Sequence, residues 1–284
     1  MNEIFHIYVM NSELQKRLQT LQKVAHNGLK LRKLPYVLQN DKKIVLTAVT
    51  QNGHALQYAS NELLNNKEVV LAAVVQNGWA LQYALNELRN DKEVVLAAVK
   101  KDGCALQYVS KEIRNDKEVV LAAVTQNGSA LFYASHELRN DKEVVLVAIT
   151  QNGNALYYVS NELRNDKEVV LATVAKYGWI LQYASNELQN DKEVNLTAVT
   201  QNYKALIYVS QIFQNDVDFV LKAVRAHSTI NITPHIQHFK VFNNPEFIRE
   251  AVYLPNISTE KISKCRILLK YLPPTILDLL YELI

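Results

Sequence analysis

The sequence has few of the residues that end helices and form tight turns. Its 284 residues include 6 Pro and 7 Gly, whereas a sheet protein with many turns needs more of both. Hydrophobic residues make up 49% and charged residues 21% of the chain, which excludes disorder and is typical of a globular protein. The scarcity of turn residues therefore favours helices.

Cysteine and long apolar runs are also scarce. Cys104 and Cys265 are too few and too scattered for a disulfide framework, which favours a reducing compartment. No run approaches about 18 consecutive apolar residues, so no membrane span is expected. The first residues lack the basic start and the cleavage site of a signal peptide. We therefore expect a cytoplasmic protein without contact to a membrane.

A block of 25 residues repeats seven times without insertion. The copies begin at Asp41, Asn66, Asp91, Asp116, Asp141, Asp166 and Asp191, and we number the positions of each copy from 1 to 25. Residues 16–40 read as a decayed copy, and a partial copy begins at Asp216. This predicts an N-terminal cap with one degenerate repeat at 1–40, seven helical-hairpin repeats at 41–215, and a degenerate repeat with C-terminal capping helices at 216–284.

Each copy has the pattern of two short helices, at about 42–51 and 54–64 in the first copy. The Asn at position 25 is followed three residues later by Glu, which is the spacing of a capping box. The Asn-Gly pair at positions 12 and 13 predicts a left-handed helix stop. Helices of about ten residues are unstable alone, so neighbouring copies must cover their apolar faces. We therefore predict an all-α fold, an α-solenoid of stacked helical hairpins.

The repeat resembles a known family. Residues 116–135 read DKEVVLAAVTQNGSALFYAS, which is similar to the pattern DKEVVLAAVxQNGxALQYAS of the domain of unknown function 4116. The resemblance covers about 41–215 and implies no established activity. Similar proteins occur in bacteria that live inside amoebae, in protists and in giant viruses, so a host cytoplasm is the expected location if the source is an intracellular bacterium or a virus.

The copies differ mainly at three positions of the second predicted helix. Their spacing of three and four residues places them on one helical face, opposite the apolar Leu81, Ala84 and Leu88. Position 14 holds His54, Trp79, Cys104, Ser129, Asn154, Trp179 and Lys204; position 17 holds Gln57, Gln82, Gln107, Phe132, Tyr157, Gln182 and Ile207; position 21 holds Asn61, Asn86, Lys111, His136, Asn161, Asn186 and Gln211.

We predict that this variable face binds a ligand, with Trp79 and Trp179 as anchors because Trp is a preferred interface residue. The predicted contact residues are His54, Trp79, Cys104, Ser129, Asn154, Trp179 and Lys204, with Gln82, Gln107, Phe132, Tyr157 and Gln182. The alternative is that exposed positions drift freely. The Tyr at position 18 of every copy is expected to pack between repeats, and a stacking platform for bases or peptide is the alternative.

No motif for catalysis or for a cofactor is present. The sequence lacks a Gly-rich phosphate loop, zinc-ligand spacing and a nucleophile elbow. His227, His235 and His238 cluster where the repeat fails, and Cys265 follows, but carboxylates and thiols at ligand spacing are missing. We therefore expect no enzyme, no cofactor and no metal site.

The preferred function is a non-catalytic scaffold, acting as a monomer, that binds a protein or an extended peptide. The alternative is a helical-repeat protein that binds single-stranded nucleic acid with roughly one unit per repeat. Residues 41–215 contain 17 basic and 19 acidic side chains, a net charge of −2. Neutralisation of phosphates dominates nucleic-acid binding, so this charge favours the protein partner.

Overall fold

A computed structural model describes residues 2–227 and 239–251, with the side chains of 14–227, 239–241 and 244–250. The described residues form helices and contain no strand. None of these helices has the length and apolar character needed to cross a membrane. The chain divides into two compact units, Met1–Tyr158 and Val159–Ile284. The all-α fold and the repeated stacking of helices on their neighbours confirm the predicted α-solenoid.

The helical segments follow the 25-residue period. The α-helices are Asn2–His26, Tyr36–Gln39, Lys42–Gln51, Asn61–Leu64, Lys67–Gln76, Asn86–Arg89, Lys92–Lys101, Lys117–Gln126, Lys142–Gln151, Asn161–Arg164, Lys167–Val174, Lys192–Gln201, Gln211–Gln214, Val217–Ala226 and Pro245–Ala251. The 3₁₀ helices are Gly28–Lys33, Gly53–Tyr58, Gly78–Tyr83, Gly103–Tyr108, Ile113–Asn115, Gly128–Tyr133, Leu138–Asn140, Gly153–Tyr158, Gly178–Tyr183, Leu188–Asn190, Tyr203–Ile207 and Lys240–Asn243.

Each copy has three segments rather than the two predicted helices. The main helix spans positions 2–11, the 3₁₀ segment spans positions 13–18, and the closing turn lies within positions 21–25. The main helix is shorter in copy 6, at Lys167–Val174, and the 3₁₀ segment is shorter in copy 7, at Tyr203–Ile207. The predicted first helix is confirmed as Lys42–Gln51. The predicted second helix, 54–64, is wrong because the chain is extended at Ala59 and Ser60, with ψ of 157° and 158°.

The cap of the main helix is one residue later than predicted. Asp91 is the N-cap, and its carboxylate accepts hydrogen bonds from the backbone N–H groups of Glu93 at 3.0 Å and Val94 at 3.1 Å. The preceding Asn90 ends the closing turn of the previous copy. The predicted capping box is therefore wrong, since Glu93 is the second residue of the helix and not the third.

The core of each copy is built from the main helix and the 3₁₀ segment. In copy 3 it contains Val94, Val95, Ala98, Val99, Ala105 and Leu106, each with no exposed surface. Complete burial of a Val or Leu side chain stabilises a fold by about 1.5–3 kcal/mol. The equivalent residues of the neighbouring copies are buried in the same way, so stacking of copies supplies the core that one copy alone lacks.

The glycine at position 13 allows close contact between copies. A Cβ atom at Gly128 would lie 2.3 Å from the carbonyl oxygen of Ala148 in the next copy. The backbone N–H of Gly128 donates a hydrogen bond of 2.6 Å to Oε1 of Gln151. No glycine among the described residues has a positive φ. The prediction of a left-handed helix stop is therefore wrong, and glycine is needed here for lack of a side chain.

A second contact between copies explains the break at position 20. The backbone N–H of Ser135 donates to the carbonyl of Arg114 in the previous copy at 2.9 Å. Its hydroxyl donates to Oδ1 of Asn115 at 2.5 Å and accepts from the N–H of Leu138 at 3.2 Å. The serine thus starts the closing turn and binds it to the preceding copy.

Ion pairs join the starts of successive main helices. Lys92 Nζ lies 2.7 Å from the carboxylate of Asp116 and 2.8 Å from that of Glu118. The same pairing recurs from Lys67 and Lys117 to the next copy, and in the second unit from Lys167 to Asp191 and Glu193. The lysines and glutamates are exposed and the aspartates are half-buried, so each pair contributes little to stability.

The flanks of the array partly continue this pattern. Val24 and Leu31 are fully buried and Leu21 is half-buried, and Arg17 pairs with Asp41 at 2.5 Å. In the second unit Asp216 caps the helix Val217–Ala226 through the N–H of Phe219 at 2.9 Å. The capping helices predicted within 258–284 lie outside the described residues.

Candidate interaction surface

The 3₁₀ segment carries two of the three variable positions. In copy 1 the Asn52 side chain accepts a hydrogen bond from the N–H of His54 at 3.0 Å, which starts the segment. Nε2 of Gln57 donates back to the carbonyl of His54 at 3.0 Å. Because a 3₁₀ helix has three residues per turn, positions 14 and 17 share one face. Position 21 follows the extended residues, so the predicted single helical face does not extend to it.

Position 14 is a contact between copies as well as part of the surface. The Trp79 ring lies 5.8 Å from the ring of Tyr108 in the next copy, and His54 lies 6.1 Å from Tyr83. Sγ of Cys104 accepts from Asn127 at 3.3 Å, and Oγ of Ser129 accepts from Asn152 at 2.9 Å. His54, Trp79, Cys104, Ser129 and Trp179 are half-buried, whereas Asn154 and Lys204 are exposed.

Position 17 divides the copies into two groups. Gln57, Gln82 and Gln107 each donate a side-chain hydrogen bond to the carbonyl three residues earlier. Gln182 of copy 6 is half-buried. The remaining copies have exposed apolar side chains instead, with exposed fractions of 54% for Phe132, 59% for Tyr157 and 47% for Ile207. Copies 4, 5 and 7 therefore have an exposed apolar side chain where copies 1–3 have a glutamine that bonds to the backbone of its own segment.

Copies 4 and 5 together form an aromatic patch, which we define as Phe132, Tyr133, Tyr157 and Tyr158. The Phe132 ring lies 5.0 Å from Tyr133 and 5.2 Å from Tyr158, and Tyr157 lies 5.3 Å from Tyr158. These separations are typical of edge-to-face and tilted aromatic pairs. The four rings thus make one continuous surface, in which Phe132 and Tyr157 are more than half exposed.

The Tyr at position 18 is half-buried in every copy. Burial raises the pKa of the Tyr108 hydroxyl, and the neighbouring Tyr133 and Tyr83 raise it further. The rings of successive copies are therefore close enough to influence one another. Their contacts with position 14 or 17 of the preceding copy are those of a residue that packs between repeats.

A cleft of about 610 Å³ adjoins the patch, and we call it the copy 3–4 cleft. It lies between the closing turn of copy 3 and residues 132–139 of copy 4. Its lining includes Phe132 and the charged side chains Lys111, Glu112, Arg114, Glu137 and Arg139. The site residues predicted from the sequence did not include Arg114 or Arg139. The sequence feature that could have identified these arginines is the variation at position 24, which is Leu in copy 1, Arg in copies 2–5 and Gln in copies 6 and 7.

The arginine at position 24 also has a local role. In copy 2, Nε of Arg89 donates to the carbonyl of Ala84 at 2.8 Å, and its Nη2 donates to the carbonyl of Gln82. Gln189 in copy 6 bonds the equivalent carbonyls of the second unit at 3.1–3.3 Å. In copies 2 and 6 the long side chain at this position therefore satisfies the last carbonyls of the 3₁₀ segment.

Two described groups could suggest other chemistry, Cys104 at position 14 and His227 in the second unit. Burial raises the pKa of the Cys104 thiol, and Asp102 raises it further, which disfavours the nucleophilic thiolate. Nε2 of His227 lies 2.8 Å from the carbonyl oxygen of Val199, and the His227 ring packs at 5.6 Å from Tyr203. In the described part of the chain no three His, Cys, Asp or Glu side chains form a metal-binding group. His235, His238 and Cys265 lie outside that part.

Comparison with known protein families gives one result. A family model described as "Domain of unknown function (DUF4116)" matches residues 20–64, 66–114, 116–164, 166–214 and 196–232. The first four matches, of 45–49 residues, each span about two of the 25-residue copies, and the fifth, of 37 residues, overlaps the fourth. Comparisons with curated proteins and with solved structures gave no match. The matches cover most of the chain and include the copies that form the patch and the cleft, so the chain belongs to the DUF4116 repeat family.

Proposed function

We propose that this protein acts by binding, without catalysis, and that it holds an extended peptide segment of a protein partner on its 3₁₀ segments. The observation that carries the proposal is the aromatic patch of Phe132, Tyr133, Tyr157 and Tyr158. Phe132 and Tyr157 are more than half exposed although position 17 of copies 1–3 accommodates a glutamine that bonds its own backbone.

Exposed aromatic rings in a contiguous group are characteristic of binding surfaces. Aromatic side chains and Arg are enriched in protein interfaces, and large exposed apolar patches are rare on surfaces without a partner. Rings that are already packed against one another lose little conformational freedom when a partner binds. The patch therefore has the composition and the order expected of an anchor site.

The residues around the aromatic patch favour an extended partner over a small molecule. Position 14 beside the patch holds the small polar Ser129 and Asn154, and the exposed Lys111 of copy 3 lines the copy 3–4 cleft together with Phe132. The surface thus continues from the rings over several copies with side chains that offer hydrogen bonds. An extended chain can contact such a surface over its whole length, as in other repeat proteins.

The proposal is tested with peptides selected from a random phage-displayed library of about twelve residues against the full chain. The double variant Phe132→Gln with Tyr157→Gln restores the residue that copies 1, 2, 3 and 6 have at position 17. We expect the double variant to lower the affinity for the selected peptides at least tenfold, which is the loss typical of a binding hot spot. Affinity is measured by isothermal titration calorimetry.

The matched control is Val75→Thr. Val75 is 61% exposed on a main helix, and copies 1, 4, 5 and 7 have Thr at that position. Both variants should melt within about 2 °C of the unmodified chain. Equal affinities for the chain and its aromatic double variant, or loss only in Val75→Thr, would place binding elsewhere and overturn the proposal.

A further inference from the structure

The copy 3–4 cleft differs from the rest of the array in its charge. Position 21 is Asn in copies 1, 2, 5 and 6 but Lys111 in copy 3 and His136 in copy 4. Lys111 is exposed and lines the cleft together with Arg114 and Arg139. The glutamate of position 22, by contrast, is present in copies 1–6. Among the residues that line the cleft, Lys111 is thus a cation that the other copies lack at its position.

The two arginines of the cleft have unused hydrogen-bond donors. Nε of Arg114 and Nε of Arg139 are buried without a hydrogen-bond partner. Arg114 keeps one bond, from Nη2 to the carbonyl of Gln107 at 2.6 Å. A buried guanidinium N–H without an acceptor is unfavourable, so an acceptor that enters the cleft and reaches these guanidinium groups is favoured there.

The carboxylates of the cleft are already engaged by the protein. The backbone N–H of Glu112 lowers the pKa of its own carboxyl, and the Ser110 hydroxyl lowers it further. Glu137 is held in the same way by its own N–H and by Ser135. Both carboxyls are therefore ionised at neutral pH, and the cleft has three cationic and two anionic side chains, a net charge of +1.

We infer that the copy 3–4 cleft binds a carboxylate side chain of an acidic peptide, with Arg139 and Lys111 as its partners. A guanidinium pairs with a carboxylate through two parallel hydrogen bonds, and an ammonium adds charge without fixed geometry. Phe132 belongs to both the cleft and the aromatic patch, so the peptide places an acidic residue beside an apolar one. This inference rests on the proposed function and specifies its partner.

The extent of the basic surface favours a peptide carboxylate over a nucleic acid. The cations of the cleft are confined to copies 3 and 4, while residues 41–215 as a whole have a net charge of −2. A strand of nucleic acid needs many phosphates neutralised along its length. One acidic residue needs only the local cations.

Two synthetic decapeptides of the same length test the inference on the full chain. One contains Asp, Glu and Tyr, and the other contains Asn, Gln and Tyr in the same order; both have blocked ends. The double variant Lys111→Asn with Arg139→Gln introduces residues that other copies have at these positions. We expect the acidic peptide to bind the unmodified chain at least tenfold tighter than its amide analogue, and the double variant to remove that difference.

The matched control is Lys100→Thr, which removes one exposed positive charge from a main helix outside the cleft and should change neither affinity more than twofold. Equal binding of the two peptides to the unmodified chain would overturn the inference. If the two peptides bound equally and both bound more weakly to the variant Phe132→Gln with Tyr157→Gln, the proposed function would stand and the inference about the carboxylate would fail. The inference would also be overturned if polyuridylate displaced the acidic peptide completely at 0.1–0.2 M salt, about physiological ionic strength. That result would identify nucleic acid as the ligand of the cleft.

Discussion

At the scale of single residues, the spacing of the copies depends on a missing side chain. The Cα of Gly128 faces the Ala148 carbonyl so closely that a methyl group has no room. The same holds for Gly28, Gly53, Gly78, Gly103 and Gly178, where an added Cβ would lie 2.2–2.5 Å from a carbonyl oxygen of the next copy. Copy 7 has Tyr203 at this position, and its ring lies against His227. The glycine is therefore a requirement of stacking and not of the turn.

Gly128→Ala should destabilise the fold by about 1–3 kcal/mol, the usual cost of forcing extra atoms into a packed contact. The reason is displacement of the Ala148 carbonyl and of the bond from Gly128 N–H to Gln151. Urea denaturation followed by circular dichroism measures the change. Asn154→Ala, in the exposed position 14 of the next 3₁₀ segment, is the control and should have little effect. An unchanged midpoint for Gly128→Ala would contradict the close approach of the two copies.

Asn195 is a polar residue in the core of the second unit. It is fully buried, its Nδ2 donates to the carbonyl of Gln189 at 2.8 Å, and its Oδ1 has no partner. The same position is a buried Val in the other copies, including Val170 and Val220. The unpaired oxygen costs free energy that an apolar side chain of similar size avoids.

Asn195→Val should therefore raise the free energy of unfolding, by about 1 kcal/mol. Differential scanning calorimetry should show a higher melting temperature. The reverse change, Val170→Asn, provides the comparison and should lower it. A loss of stability in Asn195→Val would show that the hydrogen bond to Gln189 outweighs the unpaired oxygen.

At the scale of elements, the main helices were predictable and the second helices were not. Apolar spacing and the acidic start predict Lys42–Gln51 correctly. The second segment fails because the hydrogen bonds of a 3₁₀ helix and an α-helix differ by one residue, and apolar spacing over six residues does not separate them. The break at position 20 arises from the bond between Ser135 N–H and Arg114, a contact between copies that a local pattern does not contain.

The starts of the main helices respond to pH through their ion pairs. Burial opposes ionisation of Asp116, but the hydrogen bonds from Lys92 and from the N–H of Val119 together lower its pKa below the ordinary value. Asp91, Asp141 and Asp191 shift in the same direction. A carboxyl whose pKa is lower in the folded state stabilises the fold above its unfolded pKa of about 3.9. That stability is lost as the pH falls through the folded-state pKa.

Asp116→Asn isolates this charge, because copy 2 has Asn66 as a working cap at the same position. We expect a lower melting temperature than the unmodified chain at pH 7. The difference should shrink below about pH 4 and vanish when the carboxyl is protonated. High salt at pH 7 should also reduce it, since solvent reaches both Lys92 and Asp116. A difference that persists at pH 2 would mean that the cap geometry, not the charge, separates the two proteins.

At the scale of the whole molecule, the period of 25 residues was sufficient to predict an all-α solenoid. It also identified Phe132 and Tyr157 as surface residues, because copies of one scaffold can be compared within one chain. The copy 3–4 cleft was not predictable in this way. Lys111 and Arg139 belong to different copies, and only the stacking that brings a closing turn against the next 3₁₀ segment places both in one cleft.

The uniform boundary between copies has a consequence for how such a chain changes over generations. Most copies within a unit present to the next copy the same surface that the previous copy presents to them: a glycine against a carbonyl, the N–H of position 20 against another, and a lysine beside a carboxylate. Unequal recombination that duplicates or removes one 75-nucleotide block, three nucleotides for each of the 25 residues, joins two surfaces that already match. The two blocks that encode copies 4 and 5 can then be duplicated or moved within the gene together, and the aromatic patch that these copies form is kept.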